Sequence, residues 1–290
     1  MTVERLPAAE LDAVFGLLAN ELRIEIIRTL WEQQEEPLSF TDLQSLVDVR
    51  DSGKFNYHLN VLVPAFVERS EDGYALTHAG QHVVGAAVSG RFTEADEITV
   101  DDVPAGECMF CGGHLSARYE GGDVTVDCDD CEDLVTRMPI PPNTVSGLDP
   151  ENLPAVFSRH LLTLTNQLSR GFCKLCQGRV DSSLTALSSS ESVTFRPSLD
   201  VRFDCRACGD RTHLNVGGVV MDHPAVTSFL YDHGIDLRRS YVWELTSLLD
   251  PEATVASEDP LRLRLVVRLD GDELELTLDE TATVVDHTRG

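Results

Sequence analysis

Eight cysteines fall in four C-x-x-C pairs: "CMFC" at Cys108 and Cys111, "CDDC" at Cys128 and Cys131, "CKLC" at Cys173 and Cys176, and "CRAC" at Cys205 and Cys208. Two thiolates so spaced on a tight turn can share one ion, and two such turns close a tetrahedral shell of four sulfurs. Sixteen residues separate Cys111 from Cys128, within the range over which a hairpin brings two turns together. The run "ARYEGGDVTV" supplies that hairpin, turning at Gly121 and Gly122. Four thiolates leave no open coordination position, which favours structural zinc over a redox dithiol.

The pattern recurs. "VRFDCRAC" repeats the valine, aspartate and both cysteines of "VTVDCDDC", and each copy is followed by a similar helix start, "PAVFS" at Pro154 and "PAVTSF" at Pro224. An internal duplication explains this and predicts two separate four-cysteine sites, hence two zinc ions per chain. The second hairpin is longer, with 28 residues between Cys176 and Cys205, and its serine-rich "DSSLTALSSSESV" reads as a mobile turn. His114, His213 and His223 are possible substitute ligands. Because the cysteines already pair off, they are read as surface histidines.

The elements that carry these residues sit in an unusual composition. The 290-residue chain is long enough for two or three modules, and its 42% hydrophobic content supports folded domains. Asp and Glu total 49 against 23 basic residues, the net charge is −26, and Lys54 and Lys174 are the only lysines. An acid-rich, lysine-poor surface suits a cytoplasm at molar salt, as in a halophilic archaeon. The alternative is an ordinary acidic protein that repels DNA and membranes. The start "MTVERLPAAE" has no apolar core of signal-peptide length, and no apolar run approaches a membrane span. A soluble, cytoplasmic protein is expected, in which structural disulfides are disfavoured.

Ahead of the cysteines, "LDAVFGLLANELRIEIIRTLWEQ" places Leu11, Val14, Phe15 and Leu18, then Leu22, Ile26, Ile27 and Leu30, at helical spacing, with Asn20 between them as a cap. In "PLSFTDLQSLVDV", Ser39 and Asp42 resemble a capping box, and Phe40, Leu43, Leu46 and Val47 form an apolar stripe. A helix over about 52–63 puts Phe55, Leu59 and Leu62 on one face. Tyr57 and Asn60 then project the other way, with Lys54 and Asn56 on the flanks. A short helix, a turn and a second helix make a helix-turn-helix, whose second helix enters the major groove. "FVERSEDGYALTHAG" adds a hairpin, and "QHVVGAAV" a further helix. Arg50 and Lys54 would then meet phosphates, Ser52 lies at the start of the reading helix, and Asn56, Tyr57 and Asn60 would approach bases. The bland alternatives are that the cations balance Asp48 and Asp51 and that Tyr57 is a surface aromatic. His58 is read as a half-buried packing residue.

The order of "LANELRIEIIRTLWE", "NYHLNVL", "FVER" and "GYALTHAG" resembles the winged-helix regulators of the ArsR type, over about the first 90 residues. The resemblance implies a homodimer, built from the first helix and the helix after the wing, reading a two-fold site on double-stranded DNA. Metal-sensing members carry cysteines on the third helix, and "FTDLQSLVDV" has none.

The expected fold class is therefore α+β: an N-terminal winged helix-turn-helix over 1–92, an acidic linker over 93–106, and a duplicated zinc-ribbon-like domain with β-hairpins and helices over 107–290. "RLRLVVRLDGDELELTLDE" reads as a two-stranded ribbon about Asp270 and Gly271, with Arg262, Arg264 and Arg268 on one face, paired with Glu273, Glu275 or linker acids. No catalytic set, phosphate loop or nucleophile elbow is visible, so a DNA-binding transcriptional regulator is expected rather than an enzyme. The rear half would bind a protein partner or a small effector. Alternatives are a zinc- or redox-responsive sensor using the rear thiolates and a thiol oxidoreductase.

Overall fold

Helical spacing in the first stretch resolves into two helices, α1 (Ala8–Leu18) and α2 (Glu21–Glu32), in a computed structural model that describes residues 8–92, 98–187 and 198–290. The break between them is held by Asn20, whose side chain accepts from the Leu22 N–H at 3.1 Å. Ser39 begins α3 (Phe40–Leu46) by accepting from the Asp42 N–H at 3.2 Å, and Asp51 begins α4 (Ser52–Leu62) by accepting from the Lys54 N–H at 2.9 Å. Strands β1 (Val67–Arg69) and β2 (Tyr74–Leu76) form an antiparallel hairpin, followed by α5 (His78–Val88), capped by Thr77. Ile26, Ile27 and Leu30 of α2 pack with Leu43, Phe55, Leu59, Leu62 and Val67 in one core. Leu46, placed on the buried stripe by its spacing, is 52% exposed: seven residues of α3 bury only Leu43 within the helix, with Val47 at its end.

The described residues divide into two compact units, 8–92 and 98–290. The second is built from antiparallel sheets. The first sheet runs β3 (Val100–Glu107), β4 (His114–Glu120), β5 (Asp123–Cys128) and β6 (Leu134–Pro139), in that order. The expected linker is thus a strand in its second half, while 93–97 lie outside the described residues. Burial decides this: Val103 and Ala105 turn inward, and the Trp243 indole N–H donates to the Ala105 carbonyl at 2.8 Å. A short helix, α6 (Pro142–Val145), and a 3₁₀ turn (Pro150–Asn152) lead into α7 (Leu153–Ser169).

The second cysteine segment follows a similar order with three strands where the first has four: β7 (Val180–Leu187), β8 (Ser198–Cys205) and β9 (Arg211–Asn215), then a short α8 (Val216–Val220) and α9 (Pro224–Asp232). The serine-rich run read as a turn belongs to β7 as far as Leu187, and the rest of it lies outside the described residues. A 3₁₀ turn (Val242–Glu244) and α10 (Thr246–Leu249) lead to the last sheet. The expected two-stranded ribbon is the centre of a four-stranded meander: β10 (Glu252–Glu258), β11 (Leu261–Leu269), β12 (Asp272–Leu278) and β13 (Val284–Arg289). Its outer strands escape sequence reading because they are mostly exposed and carry little apolar alternation. Arg264 meets Glu275 at 2.6 Å, Arg268 meets Glu273 at 2.6 Å and Glu252 at 2.5 Å, and Arg262 lies 3.7 Å from Glu280.

Two cores hold this unit, and α7 enters both. Its Leu153 and Phe157 pack under the first sheet with Trp243, while Leu168 joins the core beneath the other two sheets. No helix among the described residues is long and apolar enough to cross a membrane.

Candidate metal centres and candidate nucleic-acid interface

The residue after the second cysteine of every C-x-x-C pair is left-handed: Gly112 (φ 74°), Glu132 (φ 59°), Gln177 (φ 61°) and Gly209 (φ 76°). Such a bend costs a non-glycine residue about 1 kcal/mol or more. It tightens the turn so that backbone N–H groups face the sulfurs. In the first copy Cys108 Sγ accepts from Phe110 N at 3.4 Å, Cys111 Sγ from Gly113 N at 3.3 Å, and Cys128 Sγ from Asp130 N at 3.4 Å and Cys131 N at 3.5 Å. The second copy repeats this with Leu175 N to Cys173 Sγ at 3.4 Å, Gly178 N to Cys176 Sγ at 3.4 Å and Cys208 N to Cys205 Sγ at 3.5 Å.

Hairpins then bring the turns together. Cys108 and Cys131 sulfurs lie 3.9 Å apart, and those of Cys111 and Cys128 3.5 Å. In the second copy Cys173 and Cys208 lie 3.7 Å apart, and Cys176 and Cys205 3.5 Å. A tetrahedral ion with bonds of ~2.3 Å to sulfur requires sulfurs ~3.8 Å apart. Disulfides would require about half that separation. The eight cysteines therefore form two four-sulfur groups, each able to hold one metal ion, and the donor set and its N–H partners suit a soft, thiolate-preferring ion.

The N–H donors also prepare the ligands. The Cys131 N–H is the largest influence on Cys128 and, with that of Asp130, lowers its thiol to about 7 against the opposing effect of burial. Burial is the largest influence on Cys205 and resists ionisation, yet the Cys208 and Ala207 N–H groups bring it down to about 6. Cys131 and Cys208 each accept a lowering backbone bond, from Asp133 and Asp210, but burial and the adjacent thiols push both up to about 12. Cys128 in the first group and Cys205 in the second are thus the sulfurs brought below the usual thiol range.

The surroundings of the two sites differ in charge. Asp129, Asp130, Glu132 and Asp133 interleave the "CDDC" turn, with no cation among them. At the corresponding turn stand Arg206, bound to Asp181, and Asp210, which Lys174 approaches at 3.3 Å. Four thiolates around a divalent ion leave a net double negative charge, which carboxylates oppose and cations favour. A chelator is therefore expected to strip the Cys108 site first, by roughly tenfold in rate at low salt, with the gap narrowing as salt screens the charges. Timed release from variants lacking either site checks this, and equal rates at low salt would contradict it.

In the front unit, α4 presents Lys54, Asn56, Tyr57 and Asn60 to solvent, with Tyr57 61% exposed, and Arg50 is exposed just ahead of it. Phe55, Leu59 and Leu62 are fully buried. Ser52 is turned toward α3, where its hydroxyl receives the Gln44 amide at 2.9 Å, so it ties the two helices. His58 is nearly buried, and its Nδ1 accepts from Arg23 Nε at 3.3 Å. Sequence reading passed over Gln44 and also Arg69, which stands on the hairpin over the Tyr74 ring at 5.6 Å. Neither has a periodic or spacing signal.

Pairing separates the two units electrically. Among the described residues of the front unit, Arg28 alone of the Lys and Arg side chains is ion-paired, with Glu25 and Glu32. Arg50, Lys54 and Arg69 have no carboxylate partner there. In the rear unit every described Lys or Arg except Arg159 and Arg179 lies within ion-pair distance of an acid. His114 and His223 lie outside both sulfur groups, and so does His213.

Comparison with known proteins adds family membership. Residues 11–87 match a family model described as a domain of unknown function, DUF7347. No curated protein and no solved structure matches the chain. A second model, described as a domain of unknown function, DUF7351, matches residues 105–284, which hold both cysteine sites and the strands from β4 to β12, and the chain belongs to that family.

Proposed function

We propose that the protein is a DNA-binding transcriptional regulator. The front unit is an ArsR-like winged helix-turn-helix, with α3 and α4 as the helical pair, α4 as reading helix and the β1–β2 hairpin as wing. The rear unit is a duplicated zinc-ribbon-like domain that holds two zinc ions and serves as an effector or partner domain. No catalytic step is assigned to it. The observation that carries the reading is that Arg50, Lys54 and Arg69 have no carboxylate partner among the described residues, with Asn56, Tyr57 and Asn60 exposed on the helix that carries Lys54, whereas most described cations of the rear unit are ion-paired. Free cations with amides on a helix are what phosphate and base edges require.

A short reading helix gains affinity by dimerising, so the active form is a homodimer on a two-fold duplex site. Exposed Val14 and Phe15 on α1 and Val88 on α5 supply an apolar contact for it, whereas Val83 and Val84 turn partly into the core. The test is selection of duplexes from a random pool by the purified chain at molar salt, with its mass measured in the same buffer. A two-fold symmetric motif and a dimeric mass are expected. A monomer that enriches no sequence would overturn the reading.

The exposure of Cys111, Cys176 and Cys208 favours a second reading, in which the thiolates sense zinc or oxidants. It predicts loss of duplex binding when one ion is removed or one sulfur oxidised, which a purely structural role for the rear unit does not.

A further inference from the structure

A cavity of about 710 Å³ opens in the rear unit between the two helices that the duplication repeats, α7 and α9. Small-molecule sites fall in the range of ~300–1,000 Å³. Leu162, Met221, Ile235 and Leu237 give it an apolar floor, and Tyr231, 69% exposed, stands on its wall. Arg159, Leu162, Thr163 and Asn166 share one face of α7 by helical spacing, so a charge, an apolar contact and an amide reach the cavity from one element.

The charges in the lining are unequal in what they have left to bind. Asp222 is met by Arg170 at 3.3 Å, and Asp236 by Arg238 at 3.0 Å and Arg239 at 3.9 Å. Arg159 has no carboxylate partner among the described residues, in a unit where Arg179 alone shares that state. The Asn166 amide and the Ser228 hydroxyl, also in the lining, make no side-chain hydrogen bond there. A guanidinium left free in so acidic a unit, beside two unused polar groups and over an apolar floor, is matched by a ligand with one anionic end and an apolar body.

We infer that this cavity binds a small amphiphilic organic anion, a carboxylate or phosphate ester with an apolar body, its anion on Arg159 and its body on Leu162, Met221, Ile235 and Leu237. A cationic ligand would face Arg159 and Arg238 with both acids already neutralised. The inference goes beyond the DNA-binding reading and stands without it, because binding is measured with no DNA present.

The experiment uses the full chain with its metal bound and 8-anilinonaphthalene-1-sulfonate as reporter, displaced by decanoate or by uncharged decanol. Decanoate is expected to displace the dye at least tenfold more effectively than decanol. Arg159→Met, which keeps the stem and removes the charge, should weaken decanoate at least tenfold and leave decanol unchanged, Arg159→Lys should retain most of the binding, and Arg137→Met, on β6, should match the native chain. Metal content and circular dichroism of each variant establish that it is folded. Equal displacement by decanoate and decanol, native affinity in Arg159→Met, or no displacement by either compound overturns the inference.

Discussion

Removing the metal is expected to unfold residues 98–290 while residues 8–92 stay folded. Both four-sulfur groups close hairpins of the sheets in that unit, so their loss removes the link between each pair of turns and leaves clustered thiols in its place. Zinc held by peptides of this kind supplies ~10–16 kcal/mol at neutral pH, about the whole stability of a domain or more. The front core contains no cysteine and is built on Ile26, Leu43, Phe55 and Leu59. Metal analysis should return two zinc ions per chain, and hydrogen exchange after chelation should show protection lost in the rear unit alone. Replacing Cys108 and Cys111 by serine should release one ion. Release of both ions, or one ion in the native chain, would rule out independent sites. Because the thiols release protons when they bind, affinity falls as pH falls, and acid should release both ions.

Lys54→Ala and Asn60→Ala are expected to impair duplex binding in different ways. Lys54 extends from the first turn of α4 without an ion-pair partner, so its loss removes a phosphate contact that every sequence offers. Affinity should fall alike for specific and scrambled duplexes, and the slope of log affinity against log salt should shrink by about one per protomer. Asn60 lies six residues further along the same helix and can pair bidentately with an adenine edge. Its replacement should cost roughly 1 to 3 kcal/mol at the selected site and little elsewhere. Asn56→Ala should behave as Asn60→Ala does. At molar salt the phosphate contribution is largely screened, so the asparagine variants should there show the greater loss. Unchanged binding in both kinds of variant, with binding abolished by deletion of the rear unit, would move the nucleic-acid surface to the cysteine domain.

The front helices and the cysteine turns were legible because their signals are local. Phe55, Leu59 and Leu62 recur at helical spacing within a single element, and each C-x-x-C turn carries its own ligands. The duplicated turns also predict that the copies fold alike, and the matching N–H···S bonds and left-handed residues repeat position by position. What the spacing of an α3 stripe cannot show is how much of it a seven-residue helix can bury, and Leu46 stays outside.

Elsewhere the outcome depended on residues far apart in the chain. "DDVPAGE" reads as solvated linker until Trp243, 138 positions beyond Ala105, lies against it and makes Val103 and Ala105 core. Exposed β10 and β13 are strands because β11 and β12 present free edges to them. The cavity exists only where α7 meets α9. Amino-acid sequence alone determined the local periodicities, the four ligand turns and their repetition. Tertiary structure decided which acidic and polar segments became strands and which arginines were left unpaired, since burial and ion pairing depend on distant neighbours that no local period encodes.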